Sequence, residues 1–258
     1  MGKIIAVHSY KGGTGKTLLS INLAATFAAH GKKVCLVDLD FRAPSLSTIL
    51  KIEKAEHWMN DYLNGTIEIG KVLIDLSDKI QNRGNLFVGL ANPSTEAIRD
   101  VSAKDRKWEM RALGRLLALR NSLLNDKGLD YLIFDTSPGL QYSSINAIVS
   151  ADLVIVATTL DRSDVDGTKR MLRELYDLFE KKTDIILNKV LNDSSSRFGR
   201  VELQTKIKDE YQAPLLGIIP CFCDVLRAEG GIIFAQEKPE HPFAKILEEI
   251  ANKIDNTA

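Results

Sequence analysis

Short apolar runs rich in β-branched residues recur along the chain, and the stretches between them carry apolar positions at helical spacing. Ile4–His8, Val34–Asp38, Leu86–Leu90, Tyr131–Asp135, Leu153–Thr158, Ile185–Asn188 and Pro214–Ile219 read as strands. Several are apolar on both faces, as expected of parallel strands covered on each side. Thr17–Ala29, Lys107–Leu124 and Gly167–Glu180 read as helices, and Phe243, Ile246, Leu247, Ile250 and Ile254 mark an amphipathic C-terminal one. This alternation predicts an α/β fold: a doubly wound, mostly parallel sheet with helices on both faces. The least regular stretch is Lys51–Asn85, with Asn64-Gly65 and Arg83-Gly84 as turn signals. Size favours a single domain over 1–258.

Composition chiefly excludes. The chain has 258 residues, 45% of them hydrophobic, enough for a substantial core. Its 34 Lys+Arg balance 34 Asp+Glu, so it is not a protein whose whole surface neutralises phosphates. No apolar run approaches the ~18 residues of a spanning helix, and Ile4–Val7 is too short for a signal h-region. Three cysteines, Cys35, Cys221 and Cys223, are too few for a disulfide framework; a reducing, cytoplasmic setting is expected.

The strongest local signal is Lys11-Gly12-Gly13-Thr14-Gly15-Lys16-Thr17, which follows a strand and opens a helix. Glycines let backbone N–H groups turn toward phosphate oxygens, and the helix N-terminus adds its dipole. Lys16 is placed to reach the β- and γ-phosphates, and the Thr17 hydroxyl to ligate Mg²⁺. Tyr10 stands where the standard phosphate loop has its first glycine, with Lys11 beside it. Asp38 and Asp40 end the second strand and lie on one side of an extended chain, at the sheet edge where α/β ligands bind. They serve equally as caps for a helix starting near Pro44. Asp135, ending a very apolar strand, fits a carboxylate that holds Mg²⁺, usually through its water shell.

With its lysine near the loop's start, this segment resembles the deviant phosphate loop of the ParA/MinD ATPases, a superfamily that also includes the nitrogenase iron protein and metal-insertion ATPases. The resemblance runs from Gly2 to about Ile254 on four ordered motifs. It implies a P-loop ATP hydrolase using ATP and Mg²⁺, with nucleotide contacts from Lys11 through Leu18. In the family the early lysine acts across an ATP-sandwiched homodimer, so the resemblance makes Lys11 a trans-acting charge, in the manner of an arginine finger. It makes Asp40 the residue directing the attacking water, Asp135 a Mg²⁺ holder, and Pro138-Gly139 a turn placing an N–H near the γ-phosphate. It gives Asn188, with Lys189, the adenine edge, and Pro220-Cys221-Phe222 the loop beside the base. Phe222 stands where relatives commonly carry an acidic residue, and offers a face for stacking.

The resemblance further implies a switch that positions or partitions a cargo, with a regulatory protein partner. The alternative is a metal- or cofactor-maturation ATPase in which Cys221 and Cys223 of two subunits complete a metal site; as small apolar residues they need no such role. The chain has no cysteine between Cys35 and Cys221, where the iron protein holds its cluster. Lys104, Lys107, Arg111 and Arg115 recur at helical spacing, a stripe for nonspecific DNA, for an acidic partner, or for water alone. MinD proteins end in a basic membrane-targeting helix. Here Lys245, Glu248, Glu249 and Asp255 mix signs on the polar face, so docking onto the domain is expected rather than membrane binding.

Overall fold

The computed structural model describes residues 2–79, 84–176, 179–191 and 200–256. The elements run β1 (Lys3–His8), α1 (Lys16–Ala29), β2 (Lys33–Leu39), α2 (Leu46–Ile49), α3 (Met59–Asn64), α4 (Ile69–Val72), β3 (Ile74–Asp75), β4 (Asn85–Gly89), α5 (Thr95–Ser102) and α6 (Arg106–Leu119). They continue with β5 (Tyr131–Thr136), α7 (Tyr142–Ser150), β6 (Leu153–Thr158), α8 (Arg162–Met171), β7 (Thr183–Val190), α9 (Arg200–Tyr211), β8 (Leu215–Pro220), α10 (Cys223–Arg227), α11 (Phe234–Glu237) and α12 (Pro242–Asn256). The sheet has eight strands in the order β3-β4-β2-β5-β1-β6-β7-β8. All neighbours are parallel except β3, which pairs antiparallel with β4 at the edge.

Strand residues alternate between two apolar layers. Ile4, Ala6, Cys35, Val37, Leu132 and Phe134 face the layer containing Leu116 of α6, Ile148 of α7 and Met171 of α8. Ile5, Val7, Val34, Leu36 and Ile133 face Leu19, Leu23 and Phe27 of α1 together with Leu247 and Ile250 of α12. Both faces are covered, which is why these strands read as unbroken apolar runs. The C-terminal helix docks as expected: Phe243, Leu247, Ile250 and Ile254 are buried.

Two helices begin before their apolar pattern does. The Asp161 side chain accepts the N–H groups of Ser163 and Asp164, starting α8 at Arg162 rather than Gly167. Asp105 likewise caps α6 by accepting the Trp108 N–H at 2.8 Å. α6 and α8 each continue into a wider π-helical turn, at Arg120–Asn125 and Leu172–Tyr176. Residues 177–178 of the expected Gly167–Glu180 helix, and Arg83 of the second turn signal, lie outside the described residues.

The basic stripe does not form one helical face. Lys104 precedes α6; it pairs with Asp100 at 2.9 Å and sits 5.9 Å over the Trp108 ring. Arg115 lies against Gly65, so close that a Cβ there would collide with its guanidinium. Lys107 and Arg111 remain exposed. Asp105 sets the helix boundary, and Lys104 lies on its far side from Lys107, Arg111 and Arg115.

Candidate functional site

The phosphate loop leaves the C-terminal end of β1, at the point where the chain's connections diverge to either side of the sheet, the usual ligand position of such folds. Gly15 turns the chain into α1 with φ +95°, and a Cβ there would stand 2.5 Å from Asn188 Nδ2. Both the left-handed conformation and the close approach require glycine. Lys16 is then the first residue of α1, buried, with its Nζ donating to Ser9 Oγ at 3.0 Å. Burial holds its pKa below the ordinary lysine value, against the opposing pull of Asp135, Asp40 and Asp164. Lys11 points elsewhere: its half-exposed ammonium pairs with Asp161 at 2.9 Å and also donates to Ser163 Oγ. These contacts and the Ser163 hydroxyl, first among them, hold the Asp161 carboxyl well below its usual range.

A cavity of about 450 Å³ opens over the loop, lined by Gly12, Gly13, Gly15, Lys16, Thr17 and Leu18, with Asp40, Ser137 and Pro138 on the opposite wall. Asp40 lies just beyond β2; its N–H donates to Asp38 Oδ1 at 2.9 Å, and its Oδ1 accepts from Ser137 Oγ at 2.8 Å. Asp135 is buried and accepts from Ser20 Oγ at 3.1 Å. Burial pushes its pKa up to about 6, despite hydrogen bonds from Thr17 and Ser20 and the charge of Lys16. The Asp38 carboxyl is likewise pushed well above the ordinary aspartate range, by burial first and by Asp135 next, and its Oδ2 has no hydrogen-bond partner.

That donor set fits Mg²⁺: hard oxygens from a threonine hydroxyl and an aspartate, and buried carboxylate charge lacking compensation. Asp38 is the acid whose orphaned oxygen points to a role that sequence reasoning left unassigned. Ser9, Ser137 and Asp161 are further site residues without a motif signal, because each is recruited by tertiary contact.

Gly15 and Leu18 also line a second cavity of about 180 Å³, with Asn188, Lys189, Pro220, Cys221, Phe222 and Val225. The residues expected on the adenine side are therefore brought together next to the loop. Asn188 is already engaged: Nδ2 donates to the Thr14 carbonyl at 2.7 Å, and Oδ1 accepts the Lys189 N–H at 2.9 Å. Lys189 Nζ donates to the Gly13 carbonyl at 2.7 Å, so this strand end braces the loop from below. Phe222 sits edge-on to His241 and Phe243, with ring centroids 5.2 and 6.4 Å away. Cys35 is a core residue, whereas Cys221 is half-buried and Cys223 exposed, so neither behaves as a buried hydrophobe. Among the described residues no group of three or more His, Cys, Asp or Glu is placed to hold a metal. No described helix is long and apolar enough to cross a membrane.

Sheet order and the phosphate cavity together define the P-loop class of nucleoside-triphosphate hydrolases. The family described as AAA domain matches residues 2–192. The chain is 26% identical over 257 residues to the septum site-determining protein MinD of Thermotoga maritima, covering 98% of this chain and 88% of the relative. It is 31% identical over 195 residues to the sporulation initiation inhibitor protein Soj of Bacillus subtilis, covering 74% of this chain and 72% of the relative. The solved structure of the cell division ATPase MinD of Pyrococcus furiosus superposes over 100% of both chains, with TM-score 0.79 and 26% identity. The chain belongs to the ParA/MinD family of P-loop ATPases and is an ATP hydrolase.

Proposed function

We propose that the protein is a Mg²⁺-dependent switch that dimerises around ATP and hydrolyses it to control the positioning or partitioning of a cellular cargo. The observation carrying this reading is the placement of Lys11. It lies outside the phosphate cavity, on the rim, held by two surface groups that a stronger anion would replace. A lysine so placed is free to turn toward the triphosphate of a facing copy. Lys16, freed from Ser9, neutralises charge on the β- and γ-phosphates. Asp40, tied to Ser137, directs the attacking water. Thr17 and, through water, Asp135 would hold Mg²⁺, which when bound neutralises charge between the β- and γ-phosphates. Gly12 to Gly15 cradle the phosphates, and Asn188 with Pro220-Cys221-Phe222 encloses the base. A Pyrococcus horikoshii MinD, 25% identical over 100% of this chain, is described as complexed with Mg-ADP, which supports the metal.

Sedimentation and ATP turnover of Lys11→Ala test the reading. Loss of ATP-dependent dimer and a fall in turnover on the order of a thousandfold are expected; undiminished dimer with full turnover would sink the trans role. Capture of partners on the hydrolysis-deficient Asp40→Ala protein then names the cargo. A second reading has support in the exposed Cys223 beside half-buried Cys221, and in 28% identity over 266 residues to an iron-sulfur cluster carrier protein of Salmonella typhimurium. In that case the purified ATP dimer contains metal stoichiometrically, and replacing both cysteines by serine removes it.

A further inference from the structure

His8 ends β1 just ahead of the phosphate loop and is fully buried, yet the chemistry above gives it no part. Both ring nitrogens are bonded: Nδ1 lies 2.5 Å from the Tyr176 hydroxyl, and Nε2 lies 2.9 Å from the Gly139 carbonyl oxygen. A carbonyl only accepts, so Nε2 carries the proton and Nδ1 accepts from Tyr176. Burial pushes the imidazole pKa down to about 3, in keeping with a single ring proton. Tyr176 closes the π-helical turn that follows α8. Gly139, at φ +73°, donates its own N–H to the Ser9 carbonyl at 2.9 Å. His8 and Ser9 thus hold both polar groups of Gly139. While the N–H is bonded to Ser9, it is not available to a γ-phosphate.

We infer that His8 is a positioning residue for ATP hydrolysis: braced by Tyr176, it latches the Pro138-Gly139 turn in its resting arrangement through the Gly139 carbonyl. A γ-phosphate draws the turn inward against that latch, whereas a diphosphate leaves it closed. The π-helical turn supplies the brace because α8 is itself seated on the loop. The Tyr10 ring lies on Gly167 so closely that a Cβ there would stand 2.0 Å from it. The inference rests on the ATPase reading of the cavity.

The test compares equilibrium binding of Mg-ADP and of a non-hydrolysable Mg-ATP analogue by calorimetry. Tyr176→Phe removes only the hydroxyl. His8→Asn carries its amide no farther than Nδ1, while His8→Gln places an N–H where Nε2 stands. Tyr176→Phe and His8→Asn should bind the triphosphate analogue about three- to tenfold more tightly with ADP affinity unchanged, the scale of one net hydrogen bond. His8→Gln keeps the Gly139 bond but leaves Tyr176 without its acceptor, so it should shift the ratio no more than Tyr176→Phe does. Parallel shifts for both nucleotides, no shift, or selectively weaker analogue binding would each overturn the latch. Wild-type protein that binds neither nucleotide removes the ATPase reading and the latch with it; wild-type binding with unmoved variants removes the latch alone.

Discussion

Replacing Asp135 by Asn should stabilise the nucleotide-free protein while abolishing Mg²⁺-dependent nucleotide binding. The carboxyl is buried beside Asp38 and Asp40, with Lys16 as its cationic neighbour. Its pKa, raised from the ordinary aspartate range to about 6, measures the net penalty of ionising it there after Lys16, Thr17 and Ser20 have acted. A shift of about two units corresponds to roughly 3 kcal/mol, at ~1.36 kcal/mol per unit. A raised carboxyl contributes stability below its unfolded pKa and loses it as pH rises through the folded value. The ionised wild-type residue is therefore most unfavourable above pH 6. Asparagine keeps an acceptor for Ser20 and carries no charge. At pH 7.5 without nucleotide, Asp135→Asn should melt about 6–12 °C above wild type, using ~2–4 °C per kcal/mol for a chain of this size. The difference should shrink as pH falls through 6 toward 4, where wild-type Asp135 is itself protonated. Calorimetric melts across that range, paired with Mg-ATP binding at pH 7.5, give both readouts. A lower melting temperature at pH 7.5, or a difference independent of pH, would refute the reasoning.

Gly15→Ala should lose nucleotide affinity by at least about tenfold: the left-handed backbone costs roughly 1–2 kcal/mol, and the new methyl drives Asn188 from the Thr14 carbonyl. Nucleotide titration followed by fluorescence checks it, and wild-type affinity would show that the loop tolerates a Cβ. The three cysteines should label in a set order with a thiol reagent, read by peptide mass mapping. Cys223 should react with or without ATP, and Cys221 should be protected by ATP. Cys35, whose thiol pKa burial pushes up to about 12, should react only on unfolding. Cys221 labelling unaffected by ATP would remove Pro220–Phe222 from the base site.

The seven long strands were legible because helices cover both sheet faces, which makes each strand an apolar run. The edge strand Ile74–Asp75 was not, since two residues carry no period and its partner β4 decides its existence. Helix starts were misread where a polar first turn precedes the apolar face, as at Asp161-Arg162-Ser163. In the site, the loop residues were legible because glycine, lysine and threonine act within one short segment. Contacts between distant segments were not: Lys11 with Asp161, Asp40 with Ser137, and His8 with Tyr176 each join residues that no local pattern relates. Asn188 illustrates the limit. The resemblance gave it the adenine edge, but its amide engages the Thr14 carbonyl of the phosphate loop.

The central position of β1 has a consequence for how the protein is made. β1 precedes the other strands of this sheet along the chain, yet it pairs only with β5 and β6, Lys3 opposite Tyr131 and Ile5 opposite Leu153. A nascent chain must carry its phosphate loop without sheet partners until Tyr131–Thr136 has emerged. The base cavity waits longer still, for Phe222. Such long-range closure slows folding, and it means ATP cannot template the early stages. Nucleotide can only reward a sheet in which β1 already lies between β5 and β6.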